Sequence, residues 1–513
     1  MNRLKKFLLN GTILTLTSLL LRALGVSFNV YISNTVGAEA MGLFTLISTV
    51  YSLAVTLATS GISLATTKLV SEAMASDSSS GARSARTVMR SAIMYSLVFS
   101  AAASVLLYTL AEPISISILK DARCIRSLKL LALTLIPISL SSVICGYFSA
   151  VRKVYKNALS QIAEQLIRIF ACVLLLSRFF AEDIESACVC IALGGTLSEI
   201  LSFIIRGIDY LRERYKQDHE SSLNTPKKSI MKSALPIAFS TYVRSALITI
   251  EHILIPRGLE ESGSMRDKAL AAYGTVQSMV FPIIFFPSAL LSSFAGLLVP
   301  ELSRSFAKKD RRDIQKIVSN VFESALIFGI GCAGIMTSFS YALGEIIYPG
   351  TDAGSYIWLI APLIPIMYLD TAVDSMLKGL NEQVYSMGVN ILDSLCSVIL
   401  VSILIPRYGI YGYIMTVYFT ETLNATLSIT RLLKISAIRP LVARRILAPL
   451  LSVIAATLCS KYFSLSSILF FGSERISVIL DIIESGIIYI VLLFVFGTLK
   501  PQKIKKAVNM IRK

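Results

Sequence analysis

Charged side chains are scarce in this sequence of 513 residues: Asp, Glu, Lys and Arg make up 16% of it, and apolar types make up 54%. A water-soluble domain carries about 25% charged residues. Apolar runs long enough to cross a bilayer recur from one end of the chain to the other, which is typical of a polytopic membrane protein. The composition therefore excludes an ordinary globular domain, and we expect no nucleic-acid partner despite the net charge of +17.

Histidine is also rare, with two residues, and the eight cysteines show neither Cys-x-x-Cys nor any other metal-ligand spacing. Metal centres and disulfide frameworks depend on such spacings. We therefore expect no metal site and no cofactor. The sequence also contains no phosphate-binding loop and no nucleophile–histidine motif, so we expect a protein that is not an enzyme.

The hydropathy pattern predicts an all-α polytopic membrane protein of about 14 transmembrane helices. Lys and Arg are about three times as frequent in the segments that become cytoplasmic when the N-terminus is placed inside. We therefore expect both termini in the cytoplasm and a multi-pass membrane protein. The predicted spans lie approximately at 8–34, 41–68, 88–110, 128–150, 157–179, 186–207, 230–255, 270–298, 317–343, 355–377, 384–405, 410–430, 446–465 and 477–498.

A weak internal repeat suggests two related halves. The sequence from Leu19, LLLRALGVSFNVYIS, resembles the sequence from Thr241, TYVRSALITIEHILI. A repeat offset by six spans is typical of transporters with pseudo-symmetric lobes. We therefore predict an N-lobe at 1–215, a C-lobe at 216–435, and an appended helix pair with a basic tail at 436–513.

Two arginines of this repeat stand in the middle of predicted spans. An arginine in the bilayer centre costs about 2.5–3.5 kcal/mol by insertion scales and does not lose its proton. Superposing Arg22 on Arg244 places Asn29 opposite Glu251, each seven residues further on and so on the same helix face. We expect these four residues to line a central, hydrated, substrate-binding cavity.

Other charged residues also fall within predicted spans. Glu164 and Arg168 are four residues apart in the fifth span and can pair on one helix face, with Glu199 of the sixth span as a further partner for Arg168. Either a structural ion pair or a cavity wall explains them. Asp393 and Glu421 are candidates for a buried cation or proton site, and the alternative for each is a hydrogen bond between helices.

Two prolines, Pro282 and Pro287, interrupt the eighth predicted span. Each removes one backbone hydrogen bond of a helix and bends it. We expect this span to be a hinge that moves during the working cycle.

Long strings of the sequence resemble one branch of the multidrug/oligosaccharidyl-lipid/polysaccharide (MOP) exporter superfamily, namely the stage V sporulation protein B-like polysaccharide exporters. They include GAEAMGLFTLISTVYSLAVTLATSGISLATTKLVSE, GYFSAVRKVYKNALSQIAEQLIR and AAYGTVQSMVFPIIFFPSALLSSFAGLLVPELSR. The resemblance implies a fourteen-helix, two-lobe transporter of the bacterial plasma membrane with alternating access. It also implies a lipid-linked saccharide as substrate, membrane lipids as neighbours, and other cell-envelope synthesis proteins as candidate partners.

The match to the peptidoglycan-precursor flippases of this superfamily is incomplete. Arg22, Leu24 and Gly25 repeat their Arg-x-Leu-Gly pattern on the first helix. Those flippases continue with an Arg-Asp pair, where this chain has Phe28 and Asn29, and they carry an arginine before a Phe-Pro-Ser that resembles the one ending at Ser288. This chain has no arginine there.

The physical problem of flipping is the transfer of a polar pyrophosphate headgroup across about 30 Å of hydrocarbon. We expect Arg22 and Arg244 to bind the pyrophosphate, because the planar guanidinium can donate two hydrogen bonds to phosphate oxygens. Asn29 and Glu251 would then meet sugar hydroxyls. The alternatives are a drug or cation antiporter of the same superfamily, a membrane glycan polymerase or ligase, and a structural scaffold.

Overall fold

Helices make up all the regular secondary structure in the described part of the chain. The computed structural model describes residues 3–59, 61–75, 78–151, 153–180, 183–215, 230–438, 442–462 and 474–498. Each of the predicted spans falls largely on helical residues. The all-α membrane architecture is therefore confirmed.

Contacts between Cα atoms divide the chain into two compact units. The first unit contains residues 1–274 and 394–410. Its helices are α1 (Arg3–Thr59), α2 (Ile62–Ala75), α3 (Ser78–Pro113), α4 (Cys124–Ala132), α5 (Leu135–Ala150), α6 (Val154–Phe179), α7 (Ile184–Tyr215), α8 (Ile230–Glu261) and α9 (Arg266–Gly274). A π-helical turn, Ile114–Ile118, follows α3.

The second unit contains residues 275–393 and 411–513. It begins with a π-helical segment, Thr275–Val280. Its helices are α10 (Phe281–Phe285), α11 (Ser288–Ala307), α12 (Arg311–Ser338), α13 (Ser340–Ile347), α14 (Ala353–Ile360), α15 (Ile364–Gly379), α17 (Ile410–Ser436), α18 (Val442–Tyr462) and α19 (Glu474–Val495). Helix α16 (Gln383–Tyr408) is shared between the units, because the division falls within it.

These contact units are not the lobes that the repeat predicts. The first unit includes α8, α9 and the second half of α16, which belong to the predicted C-lobe. A division by contacts reports which helices touch in one conformation, whereas the lobes are defined by sequence similarity. The lobe limits at 215 and 435 therefore stay a prediction.

Glycine separates the first two predicted spans inside α1. Gly37 has φ 84° and ψ 169°, values that are not helical and that glycine adopts at little cost. The residues before it and those after it form two helical limbs, which correspond to the predicted spans 8–34 and 41–68. The second of these spans is broken in turn at Gly61, where φ is +67° and α2 begins immediately afterwards.

Fewer helices of the described structure are long and apolar enough to cross a membrane than the sequence predicts. Among the described residues, nine helical stretches are long and apolar enough to span a bilayer, or ten if α4 and α5, bent by 42°, form one span. One of the nine, Leu16–Met74, contains the break at Gly37. Helices α8 and α17, which contain the predicted spans 230–255 and 410–430, are not among them.

The appended helices α18 and α19 pack against α12 in the second unit. The Tyr489 hydroxyl of α19 donates a 2.7 Å hydrogen bond to the carbonyl of Ile327, and Val453 of α18 is buried in the same apolar cluster. A Cβ at Gly331 of α12 would lie only 2.5 Å from the Tyr489 ring. The pair is therefore a packed part of its unit and not a loose extension.

Close helix packing in the first unit is clearest between α6 and α7. A Cβ at Gly194 of α7 would lie 2.2 Å from the Cys172 Sγ and 3.1 Å from the Cys172 backbone nitrogen. The next residue, Gly195, faces open space, with no heavy atom within 4 Å of the position that a Cβ would occupy. The sequence therefore offers two adjacent glycines of which only one is required by packing.

We predict that Gly194→Ala destabilises the protein, whereas Gly195→Ala does not. Forcing an extra methyl group into a packed core costs about 1–3 kcal/mol, and alanine in place of an unconstrained helical glycine is favourable by about 0.5–1 kcal/mol. Thermal unfolding in detergent should show a lower midpoint for Gly194→Ala and an equal or higher one for Gly195→Ala. Equal midpoints for the two variants would contradict this packing.

Candidate functional site

The two arginines predicted to line the cavity both lie in the first unit. Arg22 is in the first limb of α1, and Arg244 is in α8; both side chains are exposed on the protein surface. Helices α1 and α8 pack against each other, and Ser245, next to Arg244, donates a 3.3 Å hydrogen bond to the hydroxyl of Thr56 in the second limb of α1. Arg244 forms no ion pair with any residue within the described ranges.

Exposure has a specific meaning for an arginine in a membrane-spanning helix. The side chain stays protonated, so it is stable only where water, a polar partner or a ligand replaces the hydrocarbon. No carboxylate of the described residues neutralises the guanidinium of Arg244. Its binding to an anion stays a prediction.

Glu251 lies two turns beyond Arg244 on α8 and is half-buried. Its Oε1 accepts a 2.7 Å hydrogen bond from the Ser397 hydroxyl of α16. Its neighbour His252 bonds through Nδ1 to the hydroxyl of Tyr273 at 2.7 Å. Helices α8, α9 and α16 are thus joined by polar contacts at this level. Asn29, the counterpart of Glu251 in the repeat, is half-buried in α1.

The predicted pair in the fifth span is part of a larger ion network between α6 and α7. The Nη2 atom of Arg168 lies 3.2 Å from Glu164 Oε1 and 3.2 Å from Glu199 Oε1. On the other side of the network, Arg206 Nη2 lies 2.8 Å from Glu164 Oε2. The pairing of Arg168 with both glutamates agrees with the spacing in the sequence.

Arg206 was not expected in this network. It lies at the predicted end of the sixth span, where a basic residue needs no partner other than lipid headgroups. The missed signal is its spacing of seven residues from Glu199, which places both on one face of α7. With two carboxylates and two guanidinium groups the network is neutral, so the geometry supports the structural interpretation of Glu164, Arg168 and Glu199.

The acidic residues predicted as a cation or proton site lie in the second unit. Asp393 is in α16 and Glu421 is in α17, and both are half-buried. The two helices are joined by Asn424, which donates from Nδ2 to Asn390 Oδ1 at 3.5 Å. Within the described residues no group of three His, Cys, Asp or Glu side chains could hold a metal ion.

The predicted hinge coincides with an irregular stretch of helix. A π-helical segment, Thr275–Val280, precedes Pro282, and α10 ends at Phe285, just before Pro287. Around Pro287 the backbone bonds are of the tighter i to i+3 kind, as in Phe286 N–H to Ile283 O at 3.1 Å. Missing proline N–H groups account for both features. Motion at this point stays a prediction.

Comparison with known proteins identifies the family. The profile of the polysaccharide biosynthesis protein family matches residues 7–306. The chain belongs to this family. Stage V sporulation protein B of Bacillus subtilis (strain 168) is 23% identical to it over 516 residues, covering 98% of both chains.

Solved structures show that this polysaccharide biosynthesis protein shares the fold of the MOP transporters. It covers 98% of a lipid II flippase MurJ in an inward closed conformation, with a TM-score of 0.69 and 15% identity over 94% of this chain. It also covers 94% of an inward-facing multidrug resistance MATE family transporter, with a TM-score of 0.63 and 12% identity over 82% of this chain. Family and fold together support a transporter or flippase role for this multi-pass plasma membrane protein.

We predict that the ion network is more sensitive to loss of Glu164 than of Glu199. Glu164 accepts hydrogen bonds from Arg168, Arg206 and Ser202, and Glu199 has one ion pair within the described residues. Each charge-assisted hydrogen bond contributes about 1.5–3 kcal/mol. Glu164→Gln should therefore lower the thermal unfolding midpoint in detergent more than Glu199→Gln. An equal or reversed order would show that the network is not organised around Glu164.

Proposed function

We propose that this protein carries an undecaprenyl-linked saccharide, or a peptidoglycan precursor, across the plasma membrane by alternating access. The observation that carries the proposal is that Arg22 of α1 and Arg244 of α8, both in predicted membrane spans, are exposed arginines of the same unit. Similarity to stage V sporulation protein B and to a lipid II flippase supports the same proposal.

Arg22 and Arg244 suit a pyrophosphate because each planar guanidinium can donate two parallel hydrogen bonds to phosphate oxygens. A diphosphate brings at least two negative charges, which offset the cost of holding two cations within the membrane. Asn29 and Glu251 would lie one to two turns further out along the same helices and contact sugar hydroxyls. The lipid tail would stay in the bilayer, sheltered by α18 and α19.

The topology that we propose has fourteen spans and both termini in the cytoplasm. Spans 1–6 (1–215) form the N-lobe, spans 7–12 (216–435) form the C-lobe, and the last pair (436–513) is appended. Alternating access in transporters with internal repeats is largely rocking of one repeat against the other. Pro282 and Pro287 would provide the flexible point in the eighth span.

A second candidate function is a MATE-like drug or cation antiporter, which the similarity to a MATE family transporter favours. Asp393 and Glu421, both half-buried, would then hold a cation or a proton. Organic cations bind to acidic cavities, and Arg22 and Arg244 would repel them. The presence of both arginines on packed helices therefore favours the lipid-linked substrate.

We predict that Arg22→Ala and Arg244→Ala each abolish function in a strain that depends on this protein, with lysine variants retaining part of it. Lysine keeps the charge but loses the bidentate geometry. The measurement is the amount of undecaprenyl-linked intermediate accumulated on the cytoplasmic leaflet, determined by mass spectrometry after depletion of the wild-type protein.

Arg178→Ala is the matched control, because Arg178 is also an exposed arginine, near the end of α6. It should not change the amount of intermediate, and immunoblots should show equal membrane levels of all variants. Full complementation by both alanine variants at positions 22 and 244 would contradict the proposal. Accumulation of no lipid-linked saccharide after depletion, together with loss of cation resistance, would favour the antiporter.

A further inference from the structure

An ion cluster joins three connecting segments at one end of the first unit. The segments follow the first, third and seventh predicted spans, so they share one membrane face in either orientation of the chain, and the positive-inside rule makes this the outer face. The cluster contains three acids and three arginines and is neutral. We call it the outer cluster: Glu39, Asp121, Arg123, Arg257, Glu260 and Arg266.

Asp121 is the centre of the outer cluster, with a side chain that is 5% exposed. Arg123 Nη2 lies 2.8 Å from Asp121 Oδ2, and Arg266 Nε lies 3.5 Å from the same oxygen. Burial alone would raise the pKa of Asp121, but the hydrogen bonds and charge of Arg123 and the charge of Arg266 outweigh it and lower the pKa. Asp121 is therefore ionised at neutral pH, and its pairing is lost only as the pH falls through this lowered pKa.

Arg257, near the end of α8, and Arg266, the first residue of α9, bind the segment that follows α3. Arg266 Nη2 donates a 2.7 Å hydrogen bond to the carbonyl of Leu119, and Arg257 Nη2 donates to the carbonyls of Ser117, at 3.3 Å, and Ile118. The carbonyls of Ser117 and Ile118 end the π-helical turn and that of Leu119 follows it, so the turn itself offers them no partner. Guanidinium groups satisfy them and also favour the negative end of the helix dipole.

The remaining pairs tie the outer cluster to α1 and to the connection between α8 and α9. Arg123 Nη1 lies 3.1 Å from Glu39 Oε1. Glu39 is the second residue after the break at Gly37 in α1. Arg266 Nη1 lies 2.5 Å from Glu260 Oε1. Elements that the repeat assigns to the N-lobe are thus bonded directly to elements that it assigns to the C-lobe.

Beneath the outer cluster, α1 and α9 approach too closely for any side chain. A Cβ at Gly42 would lie 2.0 Å from the carbonyl oxygen of Leu270, and a Cβ at Gly274 would lie 2.3 Å from that of Ala38. Tyr273, next to Gly274, is fully buried. This contact leaves no room for a polar headgroup to pass between the two helices.

We propose that the outer cluster is a latch that holds the outer ends of the two predicted lobes together and must open before substrate leaves to the outside. The inference rests on the proposed function only for the identity of the transported substrate. In the closed state Arg257 and Arg266 contribute charge-assisted hydrogen bonds. In the open state these bonds are broken or replaced by bonds to water.

The test is hydrogen–deuterium exchange of the full chain in lipid nanodiscs without added substrate. We expect Arg266→Ala to raise the exchange rate of peptides covering 114–126 and 258–270 by about tenfold or more, because loss of charge-assisted hydrogen bonds shifts a local opening equilibrium by at least that factor. Arg126→Ala is the matched control: Arg126 pairs with Glu185 at the same end, but its side chain is 77% exposed. Its effect on exchange should be small.

Gly42→Ala tests the latch without removing a charge. The added methyl group would push α9 away from α1, so exchange in the same peptides should rise, whereas Gly207→Ala, which has open space, should leave it unchanged. Wild-type exchange in both Arg266→Ala and Gly42→Ala would overturn the latch.

The latch and the proposed function fail in different ways. Raised exchange in Arg266→Ala supports the latch even if depletion of the protein leaves all lipid-linked saccharides unchanged. If depletion does accumulate a lipid-linked saccharide but exchange at the outer end is the same in Arg266→Ala and wild type, the proposed function stands and the latch is wrong.

Discussion

The cost of placing a guanidinium group in hydrocarbon governs this structure. Arginine cannot escape by losing its proton, so each arginine of a membrane-spanning helix needs either a carboxylate or a hydrated space. The chain uses both solutions. Arg168 and Arg206 are neutralised by Glu164 and Glu199 between α6 and α7, whereas Arg244 is exposed without such a carboxylate in the described residues. The first solution stabilises the fold, and we propose that the second provides a site.

The same distinction separates the residues that we propose for transport from those that stabilise the fold. The network of α6 and α7 is neutral and internally satisfied, so it has little charge to offer a ligand. Glu251 is bonded to Ser397 of α16 and lies on the same helix as Arg244. In the proposed function a moving headgroup would encounter cationic and hydrogen-bonding groups on α1 and α8, while the α6–α7 network has a structural role.

Much of this could be predicted from the sequence, because hydrophobic length and isolated charges are local signals. The helical segments, the break in the eighth span at Pro282 and the pairing of Arg168 follow from residues close in sequence. Arg206 was missed, since a basic residue at a span end has an ordinary explanation. The outer cluster could not be predicted, because Asp121 and Arg266 meet only through the tertiary fold. Nor does the sequence show that Gly42 and Gly274 pack on each other's backbones.

The physical requirement of the proposed function is that Arg22 and Arg244 reach water rather than lipid. It is tested most directly by placing single cysteines at these positions, Arg22→Cys and Arg244→Cys, in a variant without the eight native cysteines, and measuring their reaction with a charged, membrane-impermeant thiol reagent in membrane vesicles of both orientations. Phe170→Cys, at a 71% exposed apolar position of α6, reports the lipid-facing surface. We predict that positions 22 and 244 react from at least one side of the membrane and that position 170 does not. Cysteines at 22 and 244 that are as unreactive as the one at 170 would contradict the account.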